Sequence, residues 1–197
     1  ENTLFQPRSV YAISKVFAYH SVIHYREAYN LHACNGILFN HESPRRGVNF
    51  VTKKIVQGLT RIKQGKQKNL ILGNLYSRRD WGHAKDYVEA MWKILQQKNP
   101  DDFVVATRTS HSVKDFINIC AKKLGIKLLW KNKGLKEVGI DKSNDKIIIR
   151  IDKKYFRETE VDDLIGDFAK AKKLLKWKPK YSFNKLVDDM IEKEQHE

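Results

Sequence analysis

The chain lacks most of what a self-sufficient chemical site needs. Two cysteines, Cys34 and Cys120, stand far apart among apolar neighbours in 197 residues. That spacing fits neither a disulfide framework nor a thiolate metal site, so no metal is expected. No apolar run approaches the roughly 18 residues of a membrane span. The ten glycines never fall as G-x-G-x-x-G or G-x-x-G-x-x-G, so no stretch can be the glycine loop that cradles a dinucleotide pyrophosphate. Repeats and low-complexity segments are missing. Glu1–Gln6 has neither the apolar centre of a signal peptide nor the basic pattern of a transit peptide. The two methionines are Met91 and Met190, so no initiator is present. The expectation is a reduced, cytoplasmic protein that forms part of a longer product.

What is abundant is positive charge: 38 Lys and Arg against 23 Asp and Glu, a formal net charge of +15. Such a balance suits an anionic partner, nucleic acid included. The lysines are scattered and form no block, which favours a solvated basic surface over a nucleic-acid interface. Arginine is the side chain suited to bidentate phosphate contacts. Arg45-Arg46 and Arg78-Arg79 form pairs inside the most unusual strings of the sequence.

Tyr11 and Lys15 lie four residues apart in an uninterrupted helical stretch, with Ser9 as its N-cap. Residues at i and i+4 share one helix face. A fixed ammonium there favours the phenolate of a tyrosine whose ordinary pKa is about 10. The same lysine can hydrogen-bond a ribose hydroxyl. Two strings follow: Asn35-Gly36-Ile37-Leu38-Phe39-Asn40-His41-Glu42-Ser43-Pro44-Arg45-Arg46-Gly47 and Arg78-Arg79-Asp80-Trp81-Gly82-His83-Ala84-Lys85-Asp86-Tyr87-Val88-Glu89-Ala90. With Tyr11 and Lys15 they resemble the C-terminal half of the GDP-mannose 4,6-dehydratases, extended short-chain dehydrogenase/reductases, from Pro7 to about Val187. Val10 and Ala12 stand where that family commonly has Pro and Gly, Arg108 where it often has Gly, and Glu158 where Pro is usual.

The resemblance implies a lyase of nucleotide-sugar metabolism, on the way to GDP-fucose, that uses NADP and GDP-mannose. Tyr11 and Lys15 would be its redox base and helper, with His41 and Arg46 also contacting NADP. Asn40 would approach the sugar diphosphate. Val51 and Lys54 would line the guanine pocket, and Leu72 and Arg79 would contact the nucleotide. Arg157 and Glu160 would hold phosphate and ribose. The family's glycine loop and its catalytic Thr/Ser and Glu would lie upstream of Glu1. Besides a dehydratase, whole or in part, an inactive nucleotide-sugar-binding remnant and a basic nucleic-acid binder stay open.

The fold expected is α/β: the C-terminal part of a Rossmann-like parallel sheet plus a smaller α/β substrate-binding domain. Residues 1–40 would end the NADP-binding domain and 41–197 would mainly bind the nucleotide sugar, with Phe103–Ala106 returning to the large sheet. Helices are expected over Tyr11–Tyr29, Phe50–Gln64, His83–Gln97, Ser112–Leu124, Asp167–Leu175 and Asn184–Glu194. Strands are expected over His32–Phe39, Asn69–Leu72, Phe103–Ala106, Lys127–Trp130 and Ile147–Ile151, and loops over Asn40–Asn49 and Gly73–Gly82. The first helix is apolar on several faces, which fits burial on two sides: a sheet on one, and on the other a second subunit of a homo-oligomer. In the third helix, Tyr87, Val88, Met91, Trp92 and Leu95 are expected to face inward.

Overall fold

The structure, a computed structural model, describes residues 1–156, 159, 161 and 163–195. Arg157 and Glu160 lie outside the described residues. The chain divides into two compact units. The first holds Glu1–His41, Asp80–Ser110 and Thr159–Tyr181; the second holds Glu42–Arg79, His111–Glu158 and Ser182–Glu197. A single boundary after residue 40 is therefore too simple. Residues 80–110 and 159–181 belong with the first unit because their strand and helices pack onto its core.

In the first unit, α1 (Val10–Tyr29) opens at Ser9, whose hydroxyl accepts the Ala12 amide at 3.1 Å. It stops at Asn30, which takes the left-handed conformation at φ 52°. Strand β1 (Gly36–Leu38) pairs in parallel with β5 (Phe103–Val105), Ile37 opposite Val104. Helices α3 (Ala84–Leu95) and α5 (Ala169–Leu174) supply the core around Tyr87, Ala90, Ile94, Phe103 and Trp177. The long buried strand expected over His32–Phe39 is only three residues, and those are half-buried or exposed. Among the described residues β1 pairs with β5 alone, so its other edge is uncovered. No residue of α1 is buried. Ile13 and Phe17 stand in solvent, while Val16, Tyr19, Val22 and Ile23 are half-buried.

The inward face of α3 also differs from expectation. Tyr87 is inward, with Asp86, Ala90 and Ile94. Val88, Met91, Trp92 and Leu95 are exposed. The buried stripe follows helical spacing from Tyr87 through Ala90 to Ile94. A polar residue joins it because Asp86 is satisfied there: its carboxylate accepts the Lys180 and Tyr181 amides, each at 3.0 Å. Its carbonyl accepts the Trp177 indole at 2.9 Å. A buried carboxylate with backbone donors avoids most of the desolvation cost.

The second unit is a four-stranded mixed sheet with helices α2 (Val51–Lys63), α4 (Val113–Lys123) and α6 (Phe183–Gln195). Strand order is β3 (Leu70–Leu72), β9 (Lys146–Ile151), β8 (Val138–Asp141), β7 (Leu128–Lys131). β3 and β9 are parallel; the other two pairings are antiparallel. Ser112 and Asp115 close the expected capping box at the start of α4, at 3.0 and 2.8 Å. A salt bridge of 2.6 Å between Lys53 and Glu194, both buried, joins α2 to α6. Strand β8 falls between the expected strands Lys127–Trp130 and Ile147–Ile151, where no strand was expected. Gly139 lets it approach β9, since a Cβ there would lie 3.0 Å from the Ile149 Cβ. Two further short strands, β2 (Asn40–Glu42) and β4 (Arg78–His83), replace expected loop. With β6 (Ser110–Ser112) they are where the chain passes between units.

Candidate functional site

The first unit holds a cavity of about 680 Å³ between α1 and β1. Tyr11, Lys15, Gly36, Leu38 and His41 line it. Helical spacing puts the Lys15 ammonium 5.3 Å from the centroid of the Tyr11 ring. Tyr11 is 71% exposed, so its hydroxyl is open to a reactant. His41 arrives from β2. Its Nδ1 lies 3.0 Å from the Phe39 carbonyl. A carbonyl can only accept, so this nitrogen carries a proton. The imidazole stacks on Tyr87, 4.8 Å between centroids. Burial, and then Asp80 and Asp86, push the Tyr87 phenol up, so it stays neutral; its buried hydroxyl has no hydrogen-bond partner among the described residues. Tyr87 acts as a floor for the histidine. Asn40 precedes His41 in β2.

Asp80 anchors the end of this unit. It is fully buried. One oxygen accepts the Thr107 amide at 2.8 Å and the Thr107 hydroxyl at 2.6 Å. The other accepts the amides of Arg108 at 2.9 Å and Gly166 at 3.2 Å. Arg108 is thereby held at φ 65°, a left-handed conformation that suits glycine. Gly166 is required at its position, because a Cβ would stand 2.4 Å from that of Ala106.

In the second unit, Arg46 lies against Glu42 and Phe50. Its Nε is 3.0 Å from a Glu42 carboxylate oxygen, and its guanidinium carbon is 3.5 Å from the Phe50 ring centroid. Val51 and Lys54 occupy the first turn of α2. The Lys54 ammonium is 4.0 Å from the centroid of the Tyr155 ring. Leu72 ends β3, and its carbonyl accepts the Asp152 amide at 2.9 Å. A short 3-10 turn over Lys153–Tyr155 follows and brings the Tyr155 carbonyl against Gly73, where a Cβ would lie at 2.3 Å. Lys54 and Leu72 are thus gathered at the carboxyl ends of the parallel pair β3 and β9, where open α/β sheets take ligands. Arg79 turns one guanidinium nitrogen onto the Arg78 carbonyl at 2.7 Å.

The structure therefore collects Tyr11, Lys15 and His41 in one cavity, and Lys54 and Leu72 around Tyr155. Sequence reasoning missed Glu42, Asp80, Tyr87 and Tyr155 as parts of these arrangements. Asp80 and Tyr87 lay inside a string already singled out; the signal that could have found Glu42 was its place between His41 and Arg46. Among the described residues no cluster of three or more His, Cys, Asp or Glu could hold a metal, and no helix is long and apolar enough to cross a membrane.

The model of the GDP-mannose 4,6 dehydratase family matches residues 1–190. The GDP-mannose 4,6 dehydratase of Dictyostelium discoideum is 52% identical over 194 residues, covering 98% of this chain and 54% of the relative. The Homo sapiens GDP-mannose 4,6 dehydratase is 52% identical over 191 residues, covering 97% and 51%. For GDP-mannose 4,6 dehydratase 1 of Arabidopsis thaliana the identity is 54%, with coverage of 98% and 49%. The chain thus spans about half the length of the curated relatives it matches. Among solved structures, RMD from Pseudomonas aeruginosa complexed with NADPH superposes with a TM-score of 0.81 at 18% identity, over 100% of this chain and 59% of that one. The dTDP-glucose 4,6-dehydratase from Bacillus anthracis in complex with NAD gives 0.78 at 20% identity, over 100% and 55%. At such identities the likeness establishes the fold, which is Rossmann-like α/β. By its family model and its relatives, the chain belongs to the GDP-mannose 4,6-dehydratase family.

Proposed function

We propose that this chain is the part of a GDP-mannose 4,6-dehydratase that carries the redox base and the nucleotide-sugar contacts. It would convert GDP-mannose to GDP-4-keto-6-deoxymannose, a precursor of GDP-fucose, in the cytoplasm. The observation that carries this reading is the convergence of Tyr11, Lys15 and His41 on one cavity. That lining fits the ribose and nicotinamide end of NADP: an ammonium for ribose hydroxyls, an imidazole, and the bare backbone of Gly36. When bound, NADP would supply the hydride acceptor and donor for the sugar carbons. Tyr11 would take the proton of the sugar 4-hydroxyl. Lys15 stands beside it, its ammonium 5.3 Å from the ring centroid, within reach of a ribose hydroxyl. The resulting ketone acidifies the C5 proton, and water leaves across C5–C6. Asn40 would meet the sugar diphosphate. Lys54 with Val51 and Leu72 would meet the guanine nucleotide, Arg79 would meet its phosphate, and Arg46 would contact NADP. Arg157 and Glu160 keep their proposed phosphate and ribose roles.

The 1–40 and 41–197 division is kept as a functional one: cofactor end, then nucleotide-sugar end. The exposed apolar face of α1 supports a homo-oligomer built through that helix. The test is to assay the natural polypeptide carrying this chain with GDP-mannose, by loss of substrate and appearance of the 4-keto sugar. Absence of turnover, with GDP still bound, would favour the inactive nucleotide-sugar-binding reading.

A further inference from the structure

Glu42 is the buried acid that the proposed chemistry leaves without a task. It is 2% exposed. Its Oε2 accepts the Thr52 hydroxyl at 2.7 Å and lies 3.0 Å from Arg46 Nε. Thr52 is itself fully buried at the start of α2, so the carboxylate is held from behind by a residue that cannot move away. The Arg46 guanidinium lies over Phe50 at 3.5 Å, and the Phe50 amide donates to the Gly47 carbonyl at 3.1 Å, which closes the turn under the stack. The guanidinium charge therefore stands beside a carboxylate, with the Nε N–H not aligned into a hydrogen bond, and one face meets a ring. The Glu42 contact is at Nε, and the guanidinium carries four further N–H donors on its terminal nitrogens.

Keeping a carboxylate here is costly. Burial raises its pKa, and Thr52 and Arg46 only partly pull it back. A glutamine would fill the same space at a smaller desolvation cost. What it would not supply is the charge that holds a guanidinium in one orientation.

We propose that Glu42 is a positioning residue. Backed by Thr52, and with Phe50 under the guanidinium plane, it fixes Arg46 so that its terminal nitrogens present a bidentate donor pair to a phosphate of the nicotinamide cofactor. This rests on the proposed cofactor role of Arg46. A free arginine must lose its rotamer freedom when it binds; a clamped one has already lost it.

The experiment measures NADP affinity by calorimetry, turnover at saturating NADP, and melting temperature. It uses the natural polypeptide carrying this chain and its R46A, E42Q and T52V variants. R46A should weaken NADP binding about 10- to 100-fold, as expected for lost hydrogen bonds to a charged group. E42Q should weaken it about 3- to 10-fold and T52V about 3-fold, smaller effects because the arginine remains. The melting temperature of E42Q should equal or exceed that of the parent, and its kcat should be unchanged. If R46A binds NADP like the parent, the cofactor reading of Arg46 fails. If R46A weakens binding and E42Q does not, the positioning role is overturned while the cofactor reading stands. If E42Q loses affinity only together with melting temperature, Glu42 is structural and the proposal is equally overturned.

Discussion

Replacing Asp80 with asparagine should destabilise the first unit by about 3–5 kcal/mol. The side chain is fully buried, and four donors point at its two oxygens. Asparagine has nearly the same shape but only one acceptor oxygen. Its cheapest orientation keeps that oxygen toward the Arg108 and Gly166 amides. The Thr107 hydroxyl can then accept from the new amide while donating to the Thr109 carbonyl, 3.2 Å away. The Thr107 amide has no such escape, and a stranded buried donor costs about 1–3 kcal/mol. The two surviving bonds change from charge-assisted to neutral and lose about 1 kcal/mol each. Arg108 sits in a left-handed conformation that costs about 1–3 kcal/mol and depends on this anchor. Adding R108G to the asparagine variant should therefore recover about 1 kcal/mol. Urea unfolding followed by far-UV circular dichroism gives the total. Hydrogen–deuterium exchange over 103–110 shows whether the loss is local. A cost below about 1 kcal/mol would refute the count of stranded donors.

Tyr11→Phe should cut turnover by about 10²–10⁴-fold with GDP binding retained; a steady-state assay showing parental turnover would remove Tyr11 as the base. Arg79→Ala should weaken GDP binding by about 1.5–3 kcal/mol, and unchanged affinity in calorimetry would remove its phosphate contact. Phe17→Glu, on the exposed face of α1, should shift sedimentation toward smaller species; an unchanged profile would place the oligomer interface elsewhere. For Glu42 the folded pKa is raised, chiefly by burial. Its contribution to stability is therefore fully present below the unfolded value and is lost as pH rises through the folded one. The E42Q variant should lack that loss in the acid range above pH 4.5, and identical stability profiles in urea would contradict the assignment.

Much of the fold was legible because it is carried by local signals. Ser9 before an unbroken run gives α1, the Ser112 and Asp115 pair gives α4, and short apolar runs give β3, β5 and β9. Strands β2, β4 and β8 were not legible. Residues such as Asn40-His41-Glu42 and Arg78-Arg79-Asp80 have no alternating pattern, and only pairing with distant chain makes them extended. The face of α3 was misread for the same reason, since Asp86 is acceptable inside only when Lys180 and Tyr181 bring it amides. Tyr11 and Lys15 were legible because a fixed helical spacing relates them. Glu42 acquires meaning only once Thr52 and Phe50 fold back beside it.

Three rings in contact run from the cavity into the core. His41 stacks on Tyr87, and Tyr87 meets Trp177 edge-on at 6.3 Å between centroids. Trp177 is 1% exposed, and its indole is fixed to the Asp86 carbonyl. This gives the molecule an internal optical probe. Occupancy of the cavity that shifts the imidazole displaces the tyrosine, and the tyrosine borders an indole buried within the protein, as the Trp81 indole also is. Trp92, at 62% exposure, emits from water and serves as the reference in the same spectrum.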